Sequence, residues 1–182
     1  YWFKLYNNFF DNEKIKQIEQ YYAKCEREGA NEHQIEESQK AIANMEIIIG
    51  DPDRLHAVAE DFINHYETRV AEGATVAGKA MFVCMNRGIA YDLYKIIVEL
   101  RPEWAVKKIA DDGIVLTEQD KKELKPIEKI KMVMTRNKDD EKKLYDMLGT
   151  KDDRKELDRQ FKNVKSNFKI AIVVDMWLTG FD

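Results

Sequence analysis

Three short apolar runs, Ala80 to Met85, Ile130 to Thr135 and Ile170 to Asp175, constrain the fold of this chain more than any other feature. Each has the length of a buried strand, and the stretches between them carry helical periodicity in place of a tight hairpin turn. Strands joined this way must return to their sheet by crossovers, which are right-handed and leave the strands parallel. The expected fold class is therefore α/β, with a mainly parallel sheet and flanking helices on both faces. The crossover helices are expected at Ile89 to Leu100, with Ala90, Leu93, Tyr94 and Ile97 inward, at about Asp139 to Leu148, and at Asp153 to Val164 with Leu157 and Phe161 inward. Pro102 ends the first of them, and Ala105 to Ala110 reads as a weaker strand.

A helical segment precedes this region. Asp51 followed by Pro52 is an N-cap with proline at the first helical position, and Leu55, Val58, Ala59, Phe62, Ile63, Tyr66 and Val70 then share one face. Before it, Ile15, Ile18 and Tyr22, then Ile35, Ala41, Ile42, Met45 and Ile49, suggest two helices broken at Gly29 to Asn31 and forming an antiparallel hairpin. The small residues from Gly73 to Gly78 form a loop that reads as a hinge. The expected organisation is a helical segment at 1–50, a possible connection between lobes, and an α/β lobe at 51–182 that is incomplete at its C-terminus.

Charged residues make up 35% of the chain and nearly cancel, at net charge −4, so no global basic field marks a nucleic-acid binder and any such contact must be local. The mixed runs Asp120 to Glu123 and Lys138 to Lys143 read as solvated helix faces. Cys25 and Cys84 stand in no ligand spacing, and His33, His56 and His65 share none, so no metal site is expected. No window approaches the roughly 18 apolar residues of a membrane span or the layout of a signal peptide, and a reduced, cytoplasmic protein without a membrane partner is expected. The start at Tyr1 and the end at Asp182, directly after an apolar run, lead us to expect a piece of something longer. Trp2, Trp104 and Trp177 are dispersed and read as core or interface packing.

Ligands on open α/β sheets bind beyond the carboxyl ends of the strands. The positions to examine are thus Asn86 and Arg87, Asp111 and Asp112, Thr135 and Arg136, and Asp175 to Asp182. An amide and a guanidinium at Asn86 and Arg87 can hold a phosphate, although an arginine at a strand end also reads as a solvated charge. Thr135 to Asn137 offers a hydroxyl and backbone groups to phosphate, or is a loop into the next helix. Gly180 lets backbone approach a ligand closely, and the Asp182 carboxylate can accept hydrogen bonds from a ribose hydroxyl. Asp175 by itself reads equally well as a helix N-cap.

The segment Lys169-Ile-Ala-Ile-Val-Val-Asp-Met-Trp-Leu-Thr-Gly-Phe-Asp182 resembles helicase motif V in the form found in the R subunits of type I restriction enzymes. Phe161-Lys162 resembles the Phe-Lys element ahead of that strand, and Ala80 to Arg87 resembles motif IV. The likeness covers about residues 51 to 182 and is tight over the last fourteen. It implies a RecA-like sheet, the second lobe of a superfamily 2 DNA motor, with ATP and Mg2+ held mainly by the first lobe. By resemblance Asp182, with Gly180, faces the nucleotide, and the turn from Asp175 to Thr179 couples the nucleotide cleft to the DNA track. Arg154 sits where relatives carry the arginine of a Gln-x-x-Arg signature, but Lys151 replaces the glutamine here.

Duplex DNA and the methyltransferase (M) and specificity (S) subunits are the implied partners. No Gly-x-x-x-x-Gly-Lys-Ser/Thr loop, Asp-Glu-x-His motif or arginine-rich motif VI is present, so no catalytic residue is assigned and this segment alone is expected to be inactive as an ATPase or nuclease. Another superfamily 2 DNA or RNA helicase lobe, and a non-enzymatic α/β interaction module, remain open on the residues alone.

Overall fold

The computed structural model describes residues 32–73 and 78–174. The chain divides after Ile48 into two units. In the first, α1 (Glu32–Ile49) is a single helix on which Ala41 and Met45 are half-buried while Ile47 and Ile48 are exposed. The expected earlier helix, with Ile15, Ile18 and Tyr22, lies outside the described residues.

The second unit opens with α2 (Pro52–Ala71). The Asp51 carboxylate accepts the Arg54 N–H at 3.0 Å, and proline occupies the first turn, where its missing N–H costs no helical hydrogen bond. Leu55, Ala59, Phe62, Ile63 and Tyr66 are buried, an i, i+4, i+7, i+8, i+11 stripe that is one face of a helix.

The sheet consists of β1 (Ala80–Val83), β2 (Ile130–Val133) and β3 (Ile170–Val173), all parallel, in the order β1-β3-β2. Ala80, Ile170 and Ile130 stand in one register row, and Val83, Val173 and Val133 in another. The most apolar of the three runs takes the centre. All four residues of β3 are fully buried, as a strand flanked on both edges and covered on both faces requires. Each run supplies four paired residues where six were expected, although Met134, beyond the last pair of β2, is still buried.

Successive strand residues face opposite ways, and the core divides accordingly. Ile130, Met132, Ile170 and Ile172 pack with α2 and with α3 (Arg87–Leu100), which contributes Ala90, Leu93 and Ile97, while Leu144 and Leu148 come from α5 (Lys142–Leu148). On the other face Val133, Ala171 and Val173 pack with Leu157 and Phe161 of α6 (Lys151–Lys162) and with Phe168. Helices thus cover both faces of a parallel sheet, the expected α/β class and consistent with a RecA-like arrangement. Burying each of these isoleucines or phenylalanines contributes about 1.5–3 kcal/mol.

The weaker strand expected at Ala105 to Ala110 does not form. Pro102–Ala105 is a 3-10 turn that buries Trp104 against the Tyr66 ring, and beyond it only isolated antiparallel bridges occur, Lys108 with Ile127 and Ala110 with Ser166. The apolar residues here, Val106 and Ile109, face solvent at 52% and 36% exposure, so nothing drives a ladder to propagate. The charged run around Asp120 does become a helix, α4 (Glu118–Glu123), with none of its residues buried and a reciprocal cap between Thr117 and Asp120.

Candidate functional site

The carboxyl edge of the sheet is built from the turn after β1 and the loop after β2. Asn86 caps α3, its Oδ1 accepting the Ile89 N–H at 2.9 Å, which fixes the turn and places Arg87 in the first helical position. The Arg87 guanidinium donates through Nη1 to the Thr135 carbonyl at 2.5 Å and through Nη2 to Asp140 Oδ2 at 2.5 Å. Asp140 also accepts the Asn137 N–H at 2.6 Å. Burial acts to raise the Asp140 carboxyl, but the Asn137 N–H and the Arg87 guanidinium outweigh it and hold the group below its ordinary value. Arg136, next along the loop, lies with its guanidinium 4.5 Å from the Tyr145 ring centroid, a cation–π contact with α5.

α6 runs back from this edge. Thr150 and Asp153 cap it reciprocally, and the Thr150 groups first, then the more distant Arg136, hold the Asp153 carboxyl low. Arg154 lies in the first turn of that helix, partly buried. The structure therefore brings Asn86, Arg87 and Thr135 together and starts the helix of Arg154 near the same edge. Thr135 is exposed, and it is its backbone carbonyl that Arg87 uses.

Two residues of the edge escaped sequence reasoning. Asp140 belongs to the run Lys138 to Lys143 that reads as a solvated face, yet its side chain is only 7% exposed. Tyr145 carried no signal beyond helical periodicity. The one local hint was the Asn137-to-Asp140 spacing, which allows a side chain to accept a backbone N–H three residues away. Asp111 and Asp112, examined as strand-end residues, belong elsewhere. Without a strand at 105–110 they pair with Lys129 and Lys108, and Lys129 directly precedes β2, at the amino edge of the sheet.

No family model matches the chain, and no solved structure matches it significantly. Relatives do: the type I restriction enzyme HindI endonuclease subunit of Haemophilus influenzae is 33% identical over 147 residues, 81% of this chain. A protein described as the type I restriction enzyme MjaIXP endonuclease subunit, from Methanocaldococcus jannaschii, is 34% identical over 155 residues, 84% of this chain. The chain belongs to the type I restriction endonuclease subunit family. It spans about 12% of the length of each of these two relatives.

For this segment of a type I endonuclease subunit, the positions expected to meet nucleotide and track, Asp175, Thr179, Gly180 and Asp182, lie outside the described residues. Among the described residues no group of three or more His, Cys, Asp or Glu side chains could hold a metal ion. Nor is any helix among them long and apolar enough to cross a membrane.

Proposed function

We propose that this segment is part of the second RecA-like motor lobe of a cytoplasmic type I restriction endonuclease subunit, and that it couples ATP hydrolysis to translocation of duplex DNA before cleavage. The observation that carries the reading is the relatedness to type I endonuclease subunits over more than four-fifths of the chain. The parallel sheet with helices on both faces supports it, because motors of this kind close two such lobes on a nucleotide. ATP with Mg2+, held mainly by the other lobe, supplies the phosphoryl-transfer chemistry.

The work of this chain is positioning. Asp182 and Gly180 meet the nucleotide, and Asp175 and Thr179 pass the resulting closure on to the DNA contacts. Asn86, Arg87, Thr135 and Arg154 contact the DNA backbone, which orients the lobe without reading sequence. A guanidinium has five N–H donors, so the contacts of Arg87 to Thr135 and Asp140 leave others for a phosphate while holding the group in place. The M and S subunits are the partners in this reading, with sequence recognition outside this segment.

The test is DNA-stimulated ATP hydrolysis by the full-length subunit assembled with its M and S partners, comparing wild type with Asp182→Ala. A fall of about tenfold or more in turnover, with folding intact, is expected, an interaction made at the reacting nucleotide being worth at least that much. No DNA-dependent turnover, or no effect of the substitution, would leave an α/β interaction module in its place.

A further inference from the structure

Two arginines meet at the loop after β2 and use their guanidinium groups differently. The peptide unit that joins Thr135 to Arg136 accepts the Arg87 guanidinium through its carbonyl at 2.5 Å, so both side chains are tethered at one point of the carboxyl edge. Arg87 spends donors on fixing the loop, one on Thr135 and one on Asp140. Arg136 spends none in this way. Its guanidinium lies 4.5 Å from the Tyr145 ring centroid, and among the described residues no carboxylate or carbonyl takes its side-chain N–H groups.

The nearby carboxylates are committed to other partners. Asp140 is bound by Arg87 Nη2 and by the Asn137 N–H, and Asp153 Oδ2 accepts the Thr150 N–H and hydroxyl, both at 2.7 Å. Arg136 acts on Asp153 through space, without a hydrogen bond.

The platform under Arg136 is itself fixed. Tyr145 lies between Leu144 and Leu148 of α5, both buried in the core, so the helix cannot turn the ring away without unpacking them. A cation–π contact uses the charge of a guanidinium, while the five N–H donors lie at the rim of its plane. Arg136 is only partly buried, so that rim reaches solvent. Holding the side chain on a ring also removes beforehand part of the rotamer entropy that a long side chain loses on binding.

We infer that Arg136 is a further DNA-backbone contact of this lobe, donating to a phosphate oxygen, and that Tyr145 is the positioning residue that presents it. The inference rests on the assignment of the carboxyl edge to duplex DNA, and extends that assignment to a cation whose donors are unspent. Each DNA strand carries a phosphate every 3.4 Å or so of helix axis, so a second guanidinium tethered at the same loop as Arg87 meets the same strand in the same register.

The experiment is binding of the full-length subunit to a fluorescein-labelled duplex, followed by anisotropy across a series of salt concentrations, with melting temperatures measured in parallel. Arg136→Gln is expected to weaken binding about three- to tenfold at low salt. It should also lower the slope of log affinity against log salt by about 0.9, one phosphate contact, equally for two duplexes of unrelated sequence. Arg136→Lys should restore the slope, because the charge returns. Tyr145→Leu should weaken binding about two- to fivefold with the slope retained, whereas Tyr145→Phe, which keeps the ring, should bind as wild type does. A role confined to packing would move the melting temperature and leave the slope alone. A slope lowered by Arg87→Gln and unchanged by Arg136→Gln overturns this inference while the assignment of the edge stands, and slopes unchanged by both overturn the two together. Equal losses in Tyr145→Leu and Tyr145→Phe overturn the positioning role.

Discussion

Arg87 and Asp140 join the ends of two strands that are not neighbours. Arg87 follows β1, Asp140 follows β2, and β3 lies between those strands, yet Nη2 and Oδ2 are 2.5 Å apart. The side chains are 25% and 7% exposed, so the pair is largely withdrawn from water. Removing either partner strands the other, and Arg87→Ala or Asp140→Ala is expected to cost about 1–3 kcal/mol in urea denaturation. The double variant should lose less than the sum of the two, by about 1 kcal/mol. Strictly additive losses would show that the contact carries no coupling.

The same pair sets an acid limb. Asp140 has a lowered carboxyl value in the folded chain, so its contribution is present above the unfolded value of about 3.9 and is lost as pH falls through the folded one. Melting temperature followed from pH 6 down to about pH 2 should fall less steeply in Asp140→Asn than in wild type, since the variant has no carboxyl to protonate there. Parallel curves would refute the assignment.

Lys79 predicts the opposite direction. Its value falls from 10.5 to about 7 on burial, so the unfolded chain binds the extra proton between those limits. Stability therefore rises with pH across that window, and below it the full cost of a buried charge is felt. Lys79→Met should stabilise the protein at pH 6 by roughly 1–2 kcal/mol after allowing for solvent screening. The gain should shrink toward pH 10. A gain independent of pH would point to packing instead of charge.

Two glycines with similar φ values should respond differently to alanine. Gly149 has φ 63° and ψ −166°, and an added Cβ would lie 2.8 Å from Asp153 Oδ2 and 3.0 Å from its Cβ. Gly73 has φ 66°, and among the described residues nothing lies within 4 Å of where its Cβ would stand. Gly73→Ala is expected to cost about 1 kcal/mol from backbone strain alone, and Gly149→Ala about 2–3 kcal/mol because the Asp153 cap must also shift. Equal losses in thermal denaturation would dismiss the steric part.

Core position should decide the cost of a deletion more than residue type does. Ile172 is fully buried in the central strand, whereas Val115 is 86% exposed. Ile172→Ala is expected to cost about 2–5 kcal/mol and Val115→Ala under about 0.5 kcal/mol, read from denaturation midpoints at constant slope. Comparable costs would contradict the arrangement of the sheet.

Much of this architecture is written locally. Asp51-Pro52 encodes a helix start, and the stripe from Leu55 to Tyr66 encodes which face is buried, because capping and periodicity act within a few residues. The fully apolar run at Ile170 similarly announces a strand covered on both sides. The candidate edge was legible to the extent that ligand positions follow strand ends, which singled out Asn86, Arg87 and Thr135.

What the tertiary structure decided is who meets whom. The order β1-β3-β2 and the union of Arg87 with Asp140 across 53 residues both depend on the crossovers. Ala105 to Ala110 shows the converse: strand-forming residues remain unpaired when packing elsewhere offers them only isolated bridges. A local window records the propensity and apolar face of one element, whereas pairing and burial of charge are settled by the packing of all elements at once.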